Sequence, residues 1–165
     1  MKQTRDVGLI GLAGSGKDTA AMALTANGWR RKAFADKLKQ IAYNFGWNGH
    51  KDDKGRKLLQ DLGMAARKYN LEFWVNQAYQ TIQDIAPELA RIPFVWTDVR
   101  FENEAEFIRK RGGIIVRIKR PGQLCDDEHE SELSQFEIKA DYEIVNAGTI
   151  EDLHEKILNL IKFND

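Results

Sequence analysis

The chain has 165 residues, enough for one domain with a sizeable core and too few for two ordinary domains. Basic and acidic residues both number 25, so the formal net charge is zero, and a nucleic acid polymer is not an expected partner. The single cysteine, Cys125, cannot form an internal disulfide. No apolar run reaches membrane-spanning length and no signal segment is recognised, so we expect a cytoplasmic protein with no membrane partner.

The stretch Val7–Ala20 reads VGLIGLAGSGKDTA and carries the strongest signal in the chain. Its apolar start predicts a buried parallel strand, and its glycines allow a turn whose N–H groups form an anion-binding nest. These glycines are Gly11, Gly14 and Gly16. A helix beginning near Lys17 adds the positive end of its dipole to the lysine charge. The spacing predicts a phosphate-binding loop, although Asp18, followed by Thr19, stands where the strict pattern has Ser or Thr.

A second, short strand is expected over Trp29–Phe34, with a helix beginning at Ala35. A polar segment, residues 46–55, reads as a loop. Two amphipathic helices then follow, over about Arg56–Tyr69 and Leu71–Ile85. Together these elements form a long helical insertion before the next predicted strand.

One face of the first amphipathic helix carries residues spaced by four, three and four positions. These residues are Arg56, Gln60, Gly63 and Arg67. A glycine inside a helix costs about 1 kcal/mol relative to alanine, so close approach by another group would justify Gly63. A solvated face with an incidental glycine explains the pattern equally well. Trp74, on the next helix, belongs to an apolar stripe and is by default a core residue.

The run IPFVWTD predicts a buried strand that ends at Asp98, where a carboxylate suits Mg²⁺ held directly or through water. Arg100 follows at the start of a helix that reaches Arg111. Further strands are predicted over Ile114–Lys119 and Tyr142–Val145.

The last predicted strand is followed by Asn146, and Thr149 caps a final helix on whose buried face we expect Ile150. Strands and helices therefore alternate, which predicts an α/β domain of three layers around a parallel sheet. The phosphate loop, Asp98 and Asn146 all follow strands, and ligands of open α/β sheets bind at the carboxyl ends of strands.

Residues 123–139 form an acidic, loop-like segment. A metal site can be imagined from four of its side chains, but their spacing matches no calcium or zinc pattern. These are Asp126, Asp127, His129 and Glu132. We expect instead a loop that borders the site.

The order of these motifs resembles that of the phage-type deoxynucleoside monophosphate kinases and, more distantly, phosphomevalonate kinase. The motifs are GSGKDT at Gly14–Thr19, RKLLQDLG at Arg56–Gly63, FW at Phe73–Trp74, TDVRFENE at Thr97–Glu104, RPGQ at Arg120–Gln123, HESE at His129–Glu132 and IVNAGT at Ile144–Thr149. The resemblance implies a single P-loop kinase domain over 1–165, with a five-stranded parallel sheet in order 2-3-1-4-5 and helices on both faces. It also implies an acceptor-binding helical insertion over about 36–88 and a lid-like loop over about 120–140.

The resemblance further implies transfer of the γ-phosphoryl group of ATP to a deoxynucleoside 5′-monophosphate, assisted by Mg²⁺, with the two nucleotides as partners. The implied ATP-binding residues are Ala13, Gly14, Ser15, Gly16, Lys17, Asp18, Thr19, Arg120 and Asn146. The implied acceptor-binding residues are Asp36, Arg56, Gln60, Gly63, Trp74 and Arg100. The implied catalytic residues are Lys17, Asp98, Arg100 and Glu104, and the metal ligands are Asp18 and Asp98.

One departure from the family pattern concerns Met64, which stands where many relatives have Thr and leaves base preference open. Two alternatives also stay open: a kinase for another phosphate-bearing metabolite, such as phosphomevalonate or dephospho-coenzyme A, and a nucleotide-dependent switch that turns over slowly. A homodimer is compatible with the sequence, and the family favours a phage origin and the host cytoplasm.

Overall fold

The computed structural model describes residues 5–85, 87–123 and 129–163. Its strands are β1 (Val7–Ile10), β2 (Arg30–Lys32), β3 (Phe94–Trp96), β4 (Ile114–Lys119) and β5 (Tyr142–Val145). All four strand pairings are parallel, in the order β2-β3-β1-β4-β5, which confirms the predicted sheet. Cys125, Asp126 and Asp127 lie outside the described residues, as does part of the predicted lid.

The helices alternate with the strands, and in the described part of the chain four of them separate β2 from β3, where the sequence predicts three. They are α1 (Lys17–Ala26), α2 (Ala35–Asn44), α3 (Asp53–Tyr69), α4 (Phe73–Gln83), α5 (Pro87–Ala90), α6 (Glu102–Lys110), α7 (Glu130–Leu133) with a 3₁₀ turn over Ser134–Phe136, and α8 (Ile150–Phe163). Helix α3 begins earlier than predicted because the Asp52 side chain caps it, accepting the Gly55 N–H at 2.8 Å. In the described part of the chain, no helix is both long and apolar enough to span a membrane.

Two apolar cores cover the two faces of the sheet, which explains why the strand sequences do not alternate. On one face α1 and α8 pack on β1 and β4 through Leu24, Leu153 and Ile157. On the other face α4 and α6 pack through residues such as Ile82 and Ile108. The two cores hold the sheet from both sides and so fix the strands from which the polar loops emerge.

The beginning of α8 corrects one prediction. The Thr149 hydroxyl accepts the Asp152 N–H at 3.2 Å, which confirms the cap. The expectation that Ile150 is buried is wrong, because 60% of it is exposed, whereas Leu153 and Ile157 are buried. Ile150 occupies the first turn of α8, where it lines a cavity.

Candidate active site

The phosphate loop, residues 11–16, joins β1 to α1. At two positions in this loop, only glycine fits the backbone conformation and the available space. Gly11 has φ of 145°, and a Cβ there would lie 2.3 Å from the carbonyl oxygen of Ile118. Gly16 has φ of 111°, and a Cβ there would lie 2.5 Å from Asn146 Nδ2. Gly16 offers no capping side chain to α1, so the first N–H groups of that helix are available to an anion.

Two side chains from other elements hold the main chain of this loop. Asn146, directly after β5, donates from Nδ2 to the Ser15 carbonyl at 2.9 Å. Gln123 donates from Nε2 to the Ala13 carbonyl. The loop is therefore fixed from both sides by groups that later parts of the chain supply.

Lys17 folds back over the loop, and its Nζ donates to the carbonyls of Gly11 at 2.5 Å and Leu12 at 2.8 Å. Burial of the amine lowers the pKa of Lys17, and the neighbouring charge of Arg100 acts in the same direction. The lysine therefore lies at the point where the loop and Arg100 approach each other.

Two cavities border the phosphate loop. The first, here called the helical cavity, has a volume of about 410 Å³ and lies against α2, α3 and α4. The second, here called the sheet cavity, has a volume of about 390 Å³ and lies against the end of β5 and the start of α8. Gly14, Lys17 and Asp18 line both cavities. The phosphate loop is thus the boundary between them.

The predicted site residues divide between these cavities almost as they were grouped by resemblance. Of the predicted ATP-binding set, the sheet cavity is lined by Gly14, Gly16, Lys17, Asp18, Thr19, Arg120 and Asn146. Ala13 lines the helical cavity, and Ser15 is buried within the loop. Of the predicted acceptor set, the helical cavity is lined by Arg56, Gln60, Gly63, Trp74 and Arg100. Asp36 does not line it: its carboxylate pairs with Arg31 at 2.9 Å and accepts the Ala33 N–H.

Asp98, at the carboxyl end of β3, connects the sheet to α2. Its two carboxylate oxygens accept the N–H groups of Phe34 at 2.8 Å and Ala35 at 2.9 Å. Burial raises the pKa of Asp98, although these two N–H groups oppose the shift. Asp98 also lines the helical cavity, so it fixes the start of α2 while presenting a carboxylate to the site.

Arg100 forms an ion pair with Glu132 of α7, with Nη1 and Oε1 2.6 Å apart. Gln135 lies in the 3₁₀ turn that follows α7, and only 2% of it is exposed. Its Oε1 accepts the Gly11 N–H at 2.9 Å, and its Nε2 donates to the Glu132 carbonyl at 2.9 Å. Arg100 and the phosphate loop are therefore joined through α7, a link the sequence did not indicate, although Glu132 lies in the HESE motif.

Glu104 is buried beneath Arg100 and makes its contacts with protein groups. Its Oε2 accepts the N–H groups of Arg100 at 2.8 Å and Phe101 at 3.2 Å, and its Oε1 accepts a hydrogen bond from Arg67. The Arg67 guanidinium lies over the Phe101 ring, 3.5 Å from its centre. Burial raises the pKa of Glu104 to about 7, although the charge of Arg67 opposes this. Arg67 lines the helical cavity, and sequence reasoning placed it on the correct face without including it in the site.

Trp74 and Gly63 form one wall of the helical cavity. Trp74 is 4% exposed, as an apolar stripe predicts, and its Nε1 donates to the Gly63 carbonyl at 3.0 Å. A Cβ at Gly63 would meet only Leu38, at an ordinary 3.6 Å. No neighbouring side chain therefore requires glycine at this position, and the space in front of it belongs to the cavity.

Among the residues that the structure describes, no cluster of three or more His, Cys, Asp or Glu side chains could hold a metal ion alone. Mg²⁺ does not need one, because it usually takes one or two carboxylates and fills its remaining positions with phosphate oxygens and water. Asp18 and Asp98 suit this mode of binding: both line the helical cavity, and the charges of both act on Lys17.

Comparison with solved structures adds evidence on the fold. Shikimate kinase from Acinetobacter baumannii aligns with a TM-score of 0.54 at 18% identity, over 99% of this chain and 96% of that one. Dephospho-CoA kinase from Campylobacter jejuni aligns with a TM-score of 0.53 at 16% identity, over 96% of each chain. At such identities the likeness concerns the P-loop kinase fold alone.

Comparison by sequence identifies the family. A family model described as deoxynucleotide monophosphate kinase matches residues 47–157. A putative deoxynucleotide monophosphate kinase of Acanthamoeba polyphaga mimivirus is 33% identical, over 94% of this chain and 95% of that protein. The deoxynucleotide monophosphate kinase of Enterobacteria phage T4 is 32% identical, over 65% of this chain and 45% of that protein. The chain therefore belongs to the deoxynucleotide monophosphate kinase family.

Proposed function

We propose that this kinase transfers the γ-phosphoryl group of ATP to the 5′-phosphate of a deoxynucleoside monophosphate, forming ADP and a deoxynucleoside diphosphate. The observation that carries the proposal is the pair of cavities that meet at Gly14, Lys17 and Asp18. Direct transfer between two nucleotides requires two binding sites that meet at the transferred group. Membership of a kinase family supports ATP as the donor and nucleotides as the substrates.

The sheet cavity is the proposed donor site. The N–H groups of the phosphate loop and of the first turn of α1 bind the ATP phosphates, and Lys17 adds its charge. Asn146 keeps the loop in shape through the Ser15 carbonyl. Arg120 and Ile150, on the wall of this cavity, flank the remainder of the donor.

The helical cavity is the proposed acceptor site. Trp74 provides an aromatic surface for the base, and Gly63 leaves room beside it. Gln60 provides an amide, and Arg56 provides a guanidinium that suits a phosphate. This combination favours a nucleotide over an acceptor without a base.

The chemistry requires alignment and neutralisation of charge more than covalent participation by the protein. In the proposed mechanism, Lys17 and Arg100 neutralise the transferred group, and Arg120 closes from the lid side. Glu104 acts as a positioning residue, since its carboxylate holds the Arg100 N–H. Asp18 and Asp98 would hold Mg²⁺, which supplies further positive charge to the phosphates when bound.

A coupled ADP-release assay with ATP and Mg²⁺ tests the proposal. The acceptor panel contains the four common deoxynucleoside monophosphates, their ribose counterparts, phosphomevalonate and dephospho-coenzyme A. We expect strong stimulation by deoxynucleoside monophosphates. If the protein binds ATP but no nucleotide acceptor changes its rate of ADP release, the result would contradict the proposed kinase function and favour the nucleotide-dependent switch. Stimulation only by phosphomevalonate or dephospho-coenzyme A would favour the metabolite kinase.

A further inference from the structure

The helical cavity carries more positive charge than its own carboxylates neutralise. Among the described residues, its lining contains seven lysine and arginine side chains and four carboxylates. Three of these cations have an acidic partner: Arg100 pairs with Glu132, Arg67 with Glu104, and Arg31 with Asp36, which lies outside the lining. The four cations that remain are Lys17, Lys39, Lys51 and Arg56, and the carboxylates that remain are Asp18 and Asp98.

The ammonium groups of Lys39 and Lys51 have no hydrogen-bond or ion-pair partner among residues 5–85, 87–123 and 129–163. Partial burial and then the charge of Lys39 lower the pKa of Lys51; Arg100 and Arg56 act in the same direction, and Asp18 opposes them. The cations therefore repel one another across a shared space. A bound anion would relieve this repulsion.

The main chain around Lys51 is fixed by contacts, so its position is a feature of the fold. Arg56 donates from Nε to the Lys51 carbonyl at 2.9 Å. Trp47 donates from Nε1 to the His50 carbonyl at 2.8 Å. Gly55 packs so closely that a Cβ would lie 2.1 Å from the same carbonyl oxygen. These contacts fix the main chain of the segment from which Lys51 lines the cavity.

Lys51 also lies on the side of the helical cavity that faces the phosphate loop. The charges of Asp18 and Arg100 act on Lys51, and the same two charges act on Lys17. An anion held by Lys51 would therefore lie next to the group that Lys17 binds. This is where the acceptor phosphate must be for direct transfer.

We propose that Lys39 and Lys51, together with Arg56, bind the 5′-phosphate of the acceptor and so make the enzyme select a monophosphate over the free nucleoside. The inference rests on the proposed function, since it concerns the acceptor site of that reaction. The same lysines could instead bind the γ-phosphate of ATP, which is also an anion. The experiment below distinguishes binding of the acceptor phosphate from binding of the γ-phosphate.

The test compares Lys51→Ala and Lys39→Ala with two control variants, Lys54→Ala and Lys37→Ala. The controls remove the same charge from exposed neighbouring positions that do not line the cavity. The acceptor is the deoxynucleoside monophosphate with the highest kcat/KM for the wild-type enzyme. For each variant we would measure the KM of this acceptor, the KM of ATP, and the Ki of the corresponding deoxynucleoside as a competitive inhibitor.

Loss of a hydrogen bond between charged groups should raise the acceptor KM about 10- to 100-fold for Lys51→Ala, and less for Lys39→Ala. The ATP KM, the nucleoside Ki and both controls should change less than about threefold. An equal rise in the nucleoside Ki would overturn the inference, because it would show damage to the whole cavity. A rise in the ATP KM alone would assign these lysines to the donor, and an unchanged acceptor KM would remove them from the site.

Failure of the proposed function would be seen separately, as absence of acceptor stimulation in the wild-type enzyme. In that case, calorimetric titration of the wild type and Lys51→Ala with deoxynucleoside monophosphates would test the phosphate subsite directly. Weaker binding by Lys51→Ala would support it, and equal binding would overturn it.

Discussion

The two cavities beside the phosphate loop are built in different ways. The sheet cavity lies at strand ends and helix starts, where Gly16 approaches Asn146 and Thr149 caps α8. The helical cavity is walled by side chains of α2, α3 and α4, including cations such as Lys51 and Arg56. In the proposed assignment, donor binding thus depends on main-chain geometry, whereas acceptor binding depends on side-chain chemistry. Substitutions in the helices should therefore change acceptor choice without changing ATP binding.

The largest expected effect concerns Arg100, which lines the helical cavity and whose charge acts on Lys17. Arg100→Ala should lower kcat by about 10³-fold, because a guanidinium that neutralises a transferred phosphoryl group contributes on this scale. Steady-state kinetics with both nucleotides saturating would measure it. Arg109→Ala is a suitable control, because Arg109 lies on α6, pairs with Glu102 and lines neither cavity. A folded Arg100→Ala enzyme that kept a tenth of wild-type turnover would contradict the assignment.

The second effect concerns the buried carboxyl group beneath the helical cavity. The pKa of Glu104 is about 7 in the folded protein and near 4.5 when exposed, so between these values the folded state binds more protons than the unfolded state. Stability should therefore fall as the pH rises from about 4.5 to about 7, by up to about 1.4 kcal/mol per pH unit. Glu104→Gln should lack this fall.

Urea unfolding of the wild type and Glu104→Gln across this pH range would measure the difference in slope, whatever the stability of the variant at a single pH. Glu102→Gln removes a carboxylate from the exposed first turn of the same helix and serves as the control. Parallel curves for the wild type and Glu104→Gln would show that Glu104 does not titrate in this range.

The third effect should be confined to the donor side. Asn146→Ala removes the hydrogen bond to the Ser15 carbonyl, which is worth about 1 kcal/mol or somewhat more. The ATP KM should rise about tenfold, and the acceptor KM should not change. Asn103→Ala is the control, because Asn103 also donates to a main-chain carbonyl, that of Leu71, but lines neither cavity. An equal rise in both KM values would show that the two cavities are not independent.

The smallest effect should separate stability from function on the acceptor side. Gly63→Ala should stabilise α3 by up to about 1 kcal/mol, because the position is helical and a Cβ meets only Leu38. Gly63 also lines the helical cavity, so an added methyl group should raise the acceptor KM a few-fold. Thermal unfolding and acceptor kinetics would measure the two effects. A more stable protein with unchanged acceptor KM would remove Gly63 from the site.

Local patterns explain how much of this structure the sequence predicts. The glycine spacing before Lys17 and the uninterrupted apolar strands identify the phosphate loop and the parallel sheet, because each pattern is complete within a short stretch. The order of the strands and the grouping of the site residues came from the family resemblance. The predicted helical insertion and lid, the roles of the site residues, the cytoplasmic location and a homodimer stay predictions.

The residues that sequence reasoning missed are polar groups whose neighbours come from distant parts of the chain. Arg67 is a charged residue on an amphipathic helix, and only packing against Glu104 shows that it is buried. Lys51 lies in a segment that reads as a solvated loop, and Gln135 reaches Gly11 across 124 positions. Trp74 is an intermediate case, since the apolar stripe predicts its burial but not that it also lines a cavity.

Binding of a bisubstrate compound, in which adenosine and a deoxynucleoside are joined by five phosphates, tests the two-cavity account most directly. One molecule should bind per chain, at least about 10²-fold more tightly than either nucleotide, because linkage makes the second binding step intramolecular. ATP and the deoxynucleoside monophosphate should each displace it. Affinity no greater than that of ATP, with displacement by ATP alone, would show that the helical cavity is not the acceptor site.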